Sequence, residues 1–177
     1  MISDEKQDTE PGTGLSDCKL SVGSCRALAG VLSSNSSILI ELDLSDNKLK
    51  DEGVDLLSVG LKCEQCKLEI LWLKHCGISD EGYVALAVAL RSNPMSNLRE
   101  LNLNCNEPGD RGVKMLSDLK ENTNYRLQSL SIVPDPYEMD KGYQSYIFNK
   151  ASNLDMDLFY FIKSQKHCQR TFQTYDL

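Results

Sequence analysis

A leucine pattern that recurs at an almost fixed period governs what this chain can fold into. Written as L-x-x-L-x-L-x-x-[NC]-x-[LI], it is met by Leu39 to Leu49 (LIELDLSDNKL) and Leu68 to Ile78 (LEILWLKHCGI). Leu98 to Pro108 (LRELNLNCNEP) meets it with Pro at the last place, and the three starts lie 29 and 30 residues apart. Each unit then carries an acidic signature ending in glycine, Asp51-Glu52-Gly53, Asp80-Glu81-Gly82 and Asp110-Arg111-Gly112, followed by an amphipathic stretch such as Val84 to Leu90. A partial unit with Leu15, Cys18 and Leu20 in phase precedes them, and a fading one runs from Leu127 through Leu130 to Ile132. Self-similarity at such a period marks a repeat architecture, because one unit cannot bury its apolar face alone and must stack on its neighbours.

The spacing has a physical reading. Leucines at the first, fourth and sixth places belong to a short strand and its entry turn and point inward. The Asn or Cys at the ninth place can bond backbone groups that the turn out of the strand leaves unpaired. Cys18, Asn47, Cys76 and Asn106 are therefore expected to form a structural ladder. Each glycine is expected to open a helix whose apolar face closes the unit's core. Those faces are Leu56, Leu57 and Leu61, then Leu86, Ala89 and Leu90, then Met115, Leu116 and Leu119.

With strand motif, period and helix in place, the chain resembles ribonuclease-inhibitor-type leucine-rich repeats. More narrowly, Cys66-Lys67-Leu68-Glu69-Ile70-Leu71, Leu98-Arg99-Glu100-Leu101-Asn102-Leu103 and Pro108 through Leu116 resemble the C-terminal repeats of fish NACHT and leucine-rich-repeat receptors, the cytosolic NOD-like receptors of innate immunity. The resemblance covers residues 15 to 132. It implies an α/β leucine-rich-repeat solenoid, a short curved horseshoe of about four 28–30-residue units with a parallel concave sheet and convex helices. In that family a NACHT ATPase lies upstream and a PRY-SPRY module often follows. No Gly-Lys pair occurs in this chain, so the phosphate cradle of a P-loop is absent and no nucleotide is expected to bind.

The domain organisation follows: an acidic, disordered segment at 1–14, the repeat domain at 15–133 and an aromatic-rich tail at 134–177. The first repeat is half built, because Glu10 and Thr13 stand where its opening leucines belong, which suggests a piece of a longer array. Pro134 and Pro136 end the pattern, and nine of the twelve aromatics lie in the last 44 residues. Asn153 to Gln165, with Leu154, Leu158, Phe161 and Ile162 at helical spacing, reads as a helix capping the solenoid, as part of a mostly disordered tail or as the degenerate start of another module.

Charge and cysteine usage exclude several partners. A net charge of -7 opposes tracking of phosphate backbones or anionic lipid. No run approaches the ~20 apolar residues of a membrane span, and the first residues lack the basic and apolar segments of a signal peptide. Seven scattered cysteines fit free thiols in a reducing compartment, so the expected location is cytoplasmic.

No catalytic, metal or cofactor site is expected. Cys63-x-x-Cys66 with His75-Cys76 has the look of a zinc cluster, but Cys66 enters the strand and His75 leaves it, roughly 20 to 30 Å away in extended chain. A shared ion needs ligands at ~2 Å. The Cys-x-x-Cys also lacks the helix N-terminus that would lower a thiol pKa. Only two histidines occur, and no Ser or Cys sits in an exposed strand-turn-helix elbow.

The remaining surface is the concave sheet, where template positions two, three, five, seven and eight face outward. These are Ile40, Glu41, Asp43, Ser45 and Asp46, then Glu69, Ile70, Trp72, Lys74 and His75, then Arg99, Glu100, Asn102, Asn104 and Cys105. Trp72, the only tryptophan, lands between Asp43 and Asn102. An outward aromatic ringed by polar groups is the composition of a binding hot spot, although it can equally be a ring that only packs over its neighbours. Trp72 and Ile70 are read as anchors for a protein ligand, with Lys74, His75, Asn102 and Asn104 around them. The acidic rim of Glu41, Asp43, Asp46 and Glu100 favours a basic partner. Two classes of function stay open. One is a non-catalytic sensing or autoinhibitory repeat region of a NOD-like receptor. The other is a stand-alone inhibitor of ribonuclease-inhibitor type or a truncated fragment acting as a decoy or without an independent role.

Overall fold

A computed structural model of the chain describes residues 14–133. The expectations for the acidic segment before Gly14 and for the aromatic tail, including the helix at Asn153 to Gln165, lie outside the described residues.

Strands and helices alternate: α1 (Val22–Leu32), β1 (Glu41–Asp43), α2 (Lys50–Leu61), β2 (Ile70–Trp72), α3 (Asp80–Arg91), β3 (Glu100–Asn102), α4 (Asp110–Glu121) and β4 (Ser129–Ser131). The strands form one parallel sheet in the order β1-β2-β3-β4, and their register aligns the template positions, with Leu42, Leu71, Leu101 and Leu130 side by side. This is the leucine-rich-repeat solenoid. Ahead of β1, the described residues add a parallel bridge from Gly14 to Asp43.

The core lies between sheet and helices. Leu42, Leu71 and Leu101 are at most 1% exposed, as are Leu44, Leu73 and Leu103 two residues on, while Leu130 of β4 is only half-buried. Burying such a leucine stabilises by about 1.5 to 3 kcal/mol, so the middle units carry most of the hydrophobic stabilisation. Leu56 and Met115 are half-buried rather than sealed in their helix faces. Tyr83, which periodicity did not single out, is fully buried and donates from its hydroxyl to Leu103 O at 3.0 Å.

The helices begin earlier than the glycines. Lys50, Asp80 and Asp110 start α2, α3 and α4, which leaves Gly53, Gly82 and Gly112 inside the first turn. The reason is close approach rather than helix opening. A Cβ on Gly82 would lie 2.5 Å from both Asp51 Oδ1 and Ile78 Cγ2. Asp51 belongs to the preceding unit, and its carboxylate accepts from Ser79 N (2.9 Å), Ser79 Oγ (2.8 Å) and Gly82 N (3.1 Å). Asp80 repeats this more weakly, accepting from Gly112 N at 2.7 Å. The acids therefore hold the next unit's helix N-terminus, where unpaired N–H groups and the helix dipole favour a negative charge.

After the Gly14 bridge and at the exits of β1, β2 and β3 the backbone turns through the left-handed region. Asp17, Asp46, His75 and Cys105, all at template position eight, have φ between 51° and 58°. Among the described residues no helix is long and apolar enough to cross a membrane.

Candidate protein-binding face

The ninth-position residues divide by chemistry. Asn47 donates to Leu15 O (2.8 Å), Leu44 O (2.9 Å) and Ser45 O (3.1 Å), and accepts from Leu20 N (2.9 Å). Asn106 donates to Leu73 O, Leu103 O and Asn104 O and accepts from Cys76 N and Ile78 N at 2.9 and 3.1 Å. Cys76, equally buried, has only a thiol, which reaches Leu44 O at 3.2 Å and Lys74 O at 3.4 Å. Cys18 is exposed and bonds only Ser16 O, so it does not join one unit to another as the other three do.

Across the sheet the register brings the outward residues into two rows: Glu41, Ile70 and Glu100, then Asp43, Trp72 and Asn102. All six are half-buried, and the leucine between each pair on a strand is sealed beneath them. Trp72 lies mid-face, with its indole N–H donating to Glu100 Oε1 at 2.8 Å. This bond ties the indole to the neighbouring strand, while Asp43 is the register partner of Trp72 on the other side. The aromatic and one acid of the rim therefore form a unit, a link that spacing alone could not reveal because the partners lie 28 residues apart.

The other polar residues are less open than their positions imply. Asp43 Oδ1 accepts from Ser45 N and Asn102 Oδ1 from Asn104 N, turns in which a side chain caps the backbone two residues on. Asn104 Oδ1 accepts from Val133 N at 2.8 Å, which holds the chain after β4. Ser45, expected to face outward, is 7% exposed, and its carbonyl accepts from Asp17 N, so the partial first unit covers it. Lys74 is exposed. His75 Nδ1 pairs with Asp46 Oδ1 at 3.0 Å, and Arg99 Nε with Glu69 Oε2 at 3.4 Å. Both pairs are solvated, so each contributes little to stability.

Three thiols are sealed in the core. Burial pushes Cys76 up to about 12 and also raises Cys66 and Cys25, so these sulfurs stay protonated near neutrality. Cys66 is a buried plug at the turn into β2, and Cys63 donates to Val59 O. Among the described residues no group of three or more His, Cys, Asp or Glu could hold a metal ion.

Residues 35–58, 64–87 and 95–117 match the model of a leucine rich repeat family. Human NACHT, LRR and PYD domains-containing protein 12 is 41% identical over 118 residues, and human NACHT, LRR and PYD domains-containing protein 3 is 41% identical over 119. Mouse ribonuclease inhibitor is 38% identical over 118 residues. Each match takes in 67% of this chain, but only 11% of the two NACHT proteins and 25% of the inhibitor. The chain thus spans a small part of the relatives it matches.

Proposed function

We propose that this chain, whose repeats are leucine-rich repeats of the ribonuclease-inhibitor type resembling those of NACHT receptors, is a non-catalytic protein-binding module. It acts in the cytoplasm as the ligand-sensing or autoinhibitory repeat region of a NOD-like innate-immune receptor. The observation that carries the reading is Trp72, half-buried at the middle of the sheet and held by Glu100. A ring fixed before binding loses little rotamer entropy on contact, which is what makes aromatic anchors effective. Ile70 lies on the same strand, and Glu41, Asp43 and Asp46 give the β1 side a negative edge that selects a basic protein surface.

The buried, protonated thiols of Cys25, Cys66 and Cys76 support a role without thiol chemistry. A second reading, a stand-alone inhibitor, draws on the similarity to mouse ribonuclease inhibitor. The four strands of the described residues make a short sheet, which favours contact with one face of a partner over enclosure of it.

Quantitative affinity capture from cytosol with the wild-type chain and Trp72→Ala tests the reading. Basic proteins should be recovered by the wild type, and purified examples should bind Trp72→Ala weaker by about 2 kcal/mol, a hot-spot loss. A difference within about 0.5 kcal/mol for every such partner overturns it. Inhibition of pancreatic-type ribonuclease by the isolated chain would instead favour the second reading.

A further inference from the structure

A cleft of about 690 Å³ opens at the strand-entry edge of the first full unit, lined by Val31, Ser34, Ser36, Ser37, Ile38 and Ile40 among others. Its apolar residues face water: Ile38 is 86% exposed, Ile40 51% and Val31 46%. Leaving such side chains unburied forgoes about 1.5 to 3 kcal/mol apiece relative to full burial.

Stacking of one repeat on another does not call for apolar groups here. By the sheet register Ile38 corresponds to Lys67 and Asn97, and Ile40 to Glu69 and Arg99. Those two units each have a preceding unit against them and still place polar side chains at the same positions. The isoleucines are therefore particular to this unit, and the fold tolerates their polar counterparts.

The cleft continues into a strand of one sign. Glu41, Asp43 and Asp46 follow Ile40 along β1 and its exit turn, and Ile40 to Asp46 spans about 20 Å of extended chain. Ile40 O accepts from both Glu69 N (2.8 Å) and Ile70 N (3.1 Å), so the apolar edge also adjoins the outer face at Ile70. Residues 1–13 carry four acids and one lysine, a net charge of the same sign as Glu41, Asp43 and Asp46.

We propose that this cleft is a separate docking site whose occupant is a short extended segment of a partner protein, an aliphatic pair followed within about six residues by Lys or Arg. The aliphatic pair covers Val31, Ile38 and Ile40, and the cations lie over Glu41 and Asp43. The site shares those two acids with the face around Trp72 but rests on the cleft, so either site stands or falls without the other.

The test selects random phage-displayed peptides on the full 177-residue chain and measures the enriched peptides by fluorescence anisotropy. The comparison variant is Ile38→Lys with Ile40→Glu, which installs the residues the next unit uses. Ile38→Asn with Ile40→Arg, the pair of the unit after, replaces it if the first does not fold. Enriched peptides should carry the aliphatic-then-basic order and lose about 10-fold or more in affinity for the variant, as when a hot-spot anchor is removed. They should bind Trp72→Ala within about 3-fold of wild type, a difference below hot-spot size. No enrichment, acidic peptides, or equal binding to wild type and variant overturns the proposal. Sedimentation equilibrium covers the remaining case: self-association abolished by the variant would make a second copy the occupant and also overturn it. Loss on Trp72→Ala with no loss on the isoleucine variant would sink this site and leave the sheet-face reading standing.

Discussion

The joint between the β1 and β2 units and the joint between the β2 and β3 units are held at opposite ends. At the first, the buried ninth-position side chain at the strand exit is the Cys76 thiol, reaching Leu44 O beside the solvated His75–Asp46 pair, but the helix end has Asp51 bound to Ser79 and Gly82. At the second, Asn106 ties Leu73 O, Cys76 N and Ile78 N at the strand exit, while Asp80 supplies one bond to Gly112 N. Gly109 cannot add a side-chain cap where Ser79 does, because a Cβ there would run into the Asp80 side chain. What matters to a stack is that buried backbone groups find partners across each joint. Which end supplies them is free to change from one joint to the next.

The largest expected effect breaks the second joint. Asn106→Ala leaves the Cys76 and Ile78 amides buried without an acceptor and should cost roughly 3 to 5 kcal/mol in urea unfolding. Cys76→Ala loses only weak thiol bonds and a small volume, about 1 to 2 kcal/mol. Equal costs would mean the two joints do not differ as described.

Alkali should single out the first joint. Burial moves the Cys76 thiol from 9.0 to about 12, so above pH 9 the unfolded chain gives up a proton that the folded chain keeps. Stability is then complete below about pH 9 and falls as pH rises toward 12, by up to about 1.4 kcal/mol per unit. Between pH 9 and 11, Cys76→Val in reductant should lose about 2 kcal/mol less than wild type. Parallel pH profiles would show that the thiol is not sealed.

The smallest effect lies at the helix ends. Asp51→Ala should cost about 1 to 2 kcal/mol and raise amide exchange at Ser79 and Gly82, whereas Asp80→Ala should cost about half as much. If Asp80→Ala proved the costlier, the compensation between ends would be wrong.

Period and template suffice to place β1 to β3 and to align their leucines, because burial of those side chains depends on spacing within one unit. They misplace the helix starts. Gly82 looks like an opening residue when read alone, and its need for a missing Cβ comes from Asp51 of the previous unit. The Asp51–Ser79 and Trp72–Glu100 links escape notice for the same reason, since each spans 28 residues and depends on how units sit side by side. Tyr83 occupies the place of Val54 and Val113 in the repeat, a phase relation that could have flagged it as core. Ile38 lies one residue before the template begins, so the repeat period assigns it no role. Of the outward row, Ser45 is buried beside the partial first unit and Asn104 also holds the chain after β4, contacts between units that spacing within one unit does not show.

The left-handed turn at template position eight sets a limit on how this surface can diversify. Asp17, Asp46, His75 and Cys105 all sit where φ exceeds 50°, a conformation in which β-branched side chains are strained. Any lineage or engineer re-targeting the array can vary positions three and five broadly. The row where each strand leaves the sheet must draw on a narrower alphabet of glycine, asparagine, aspartate, histidine and other unbranched residues. Affinity gained there will come from small polar contacts, and the bulky anchors must be carried by the strands.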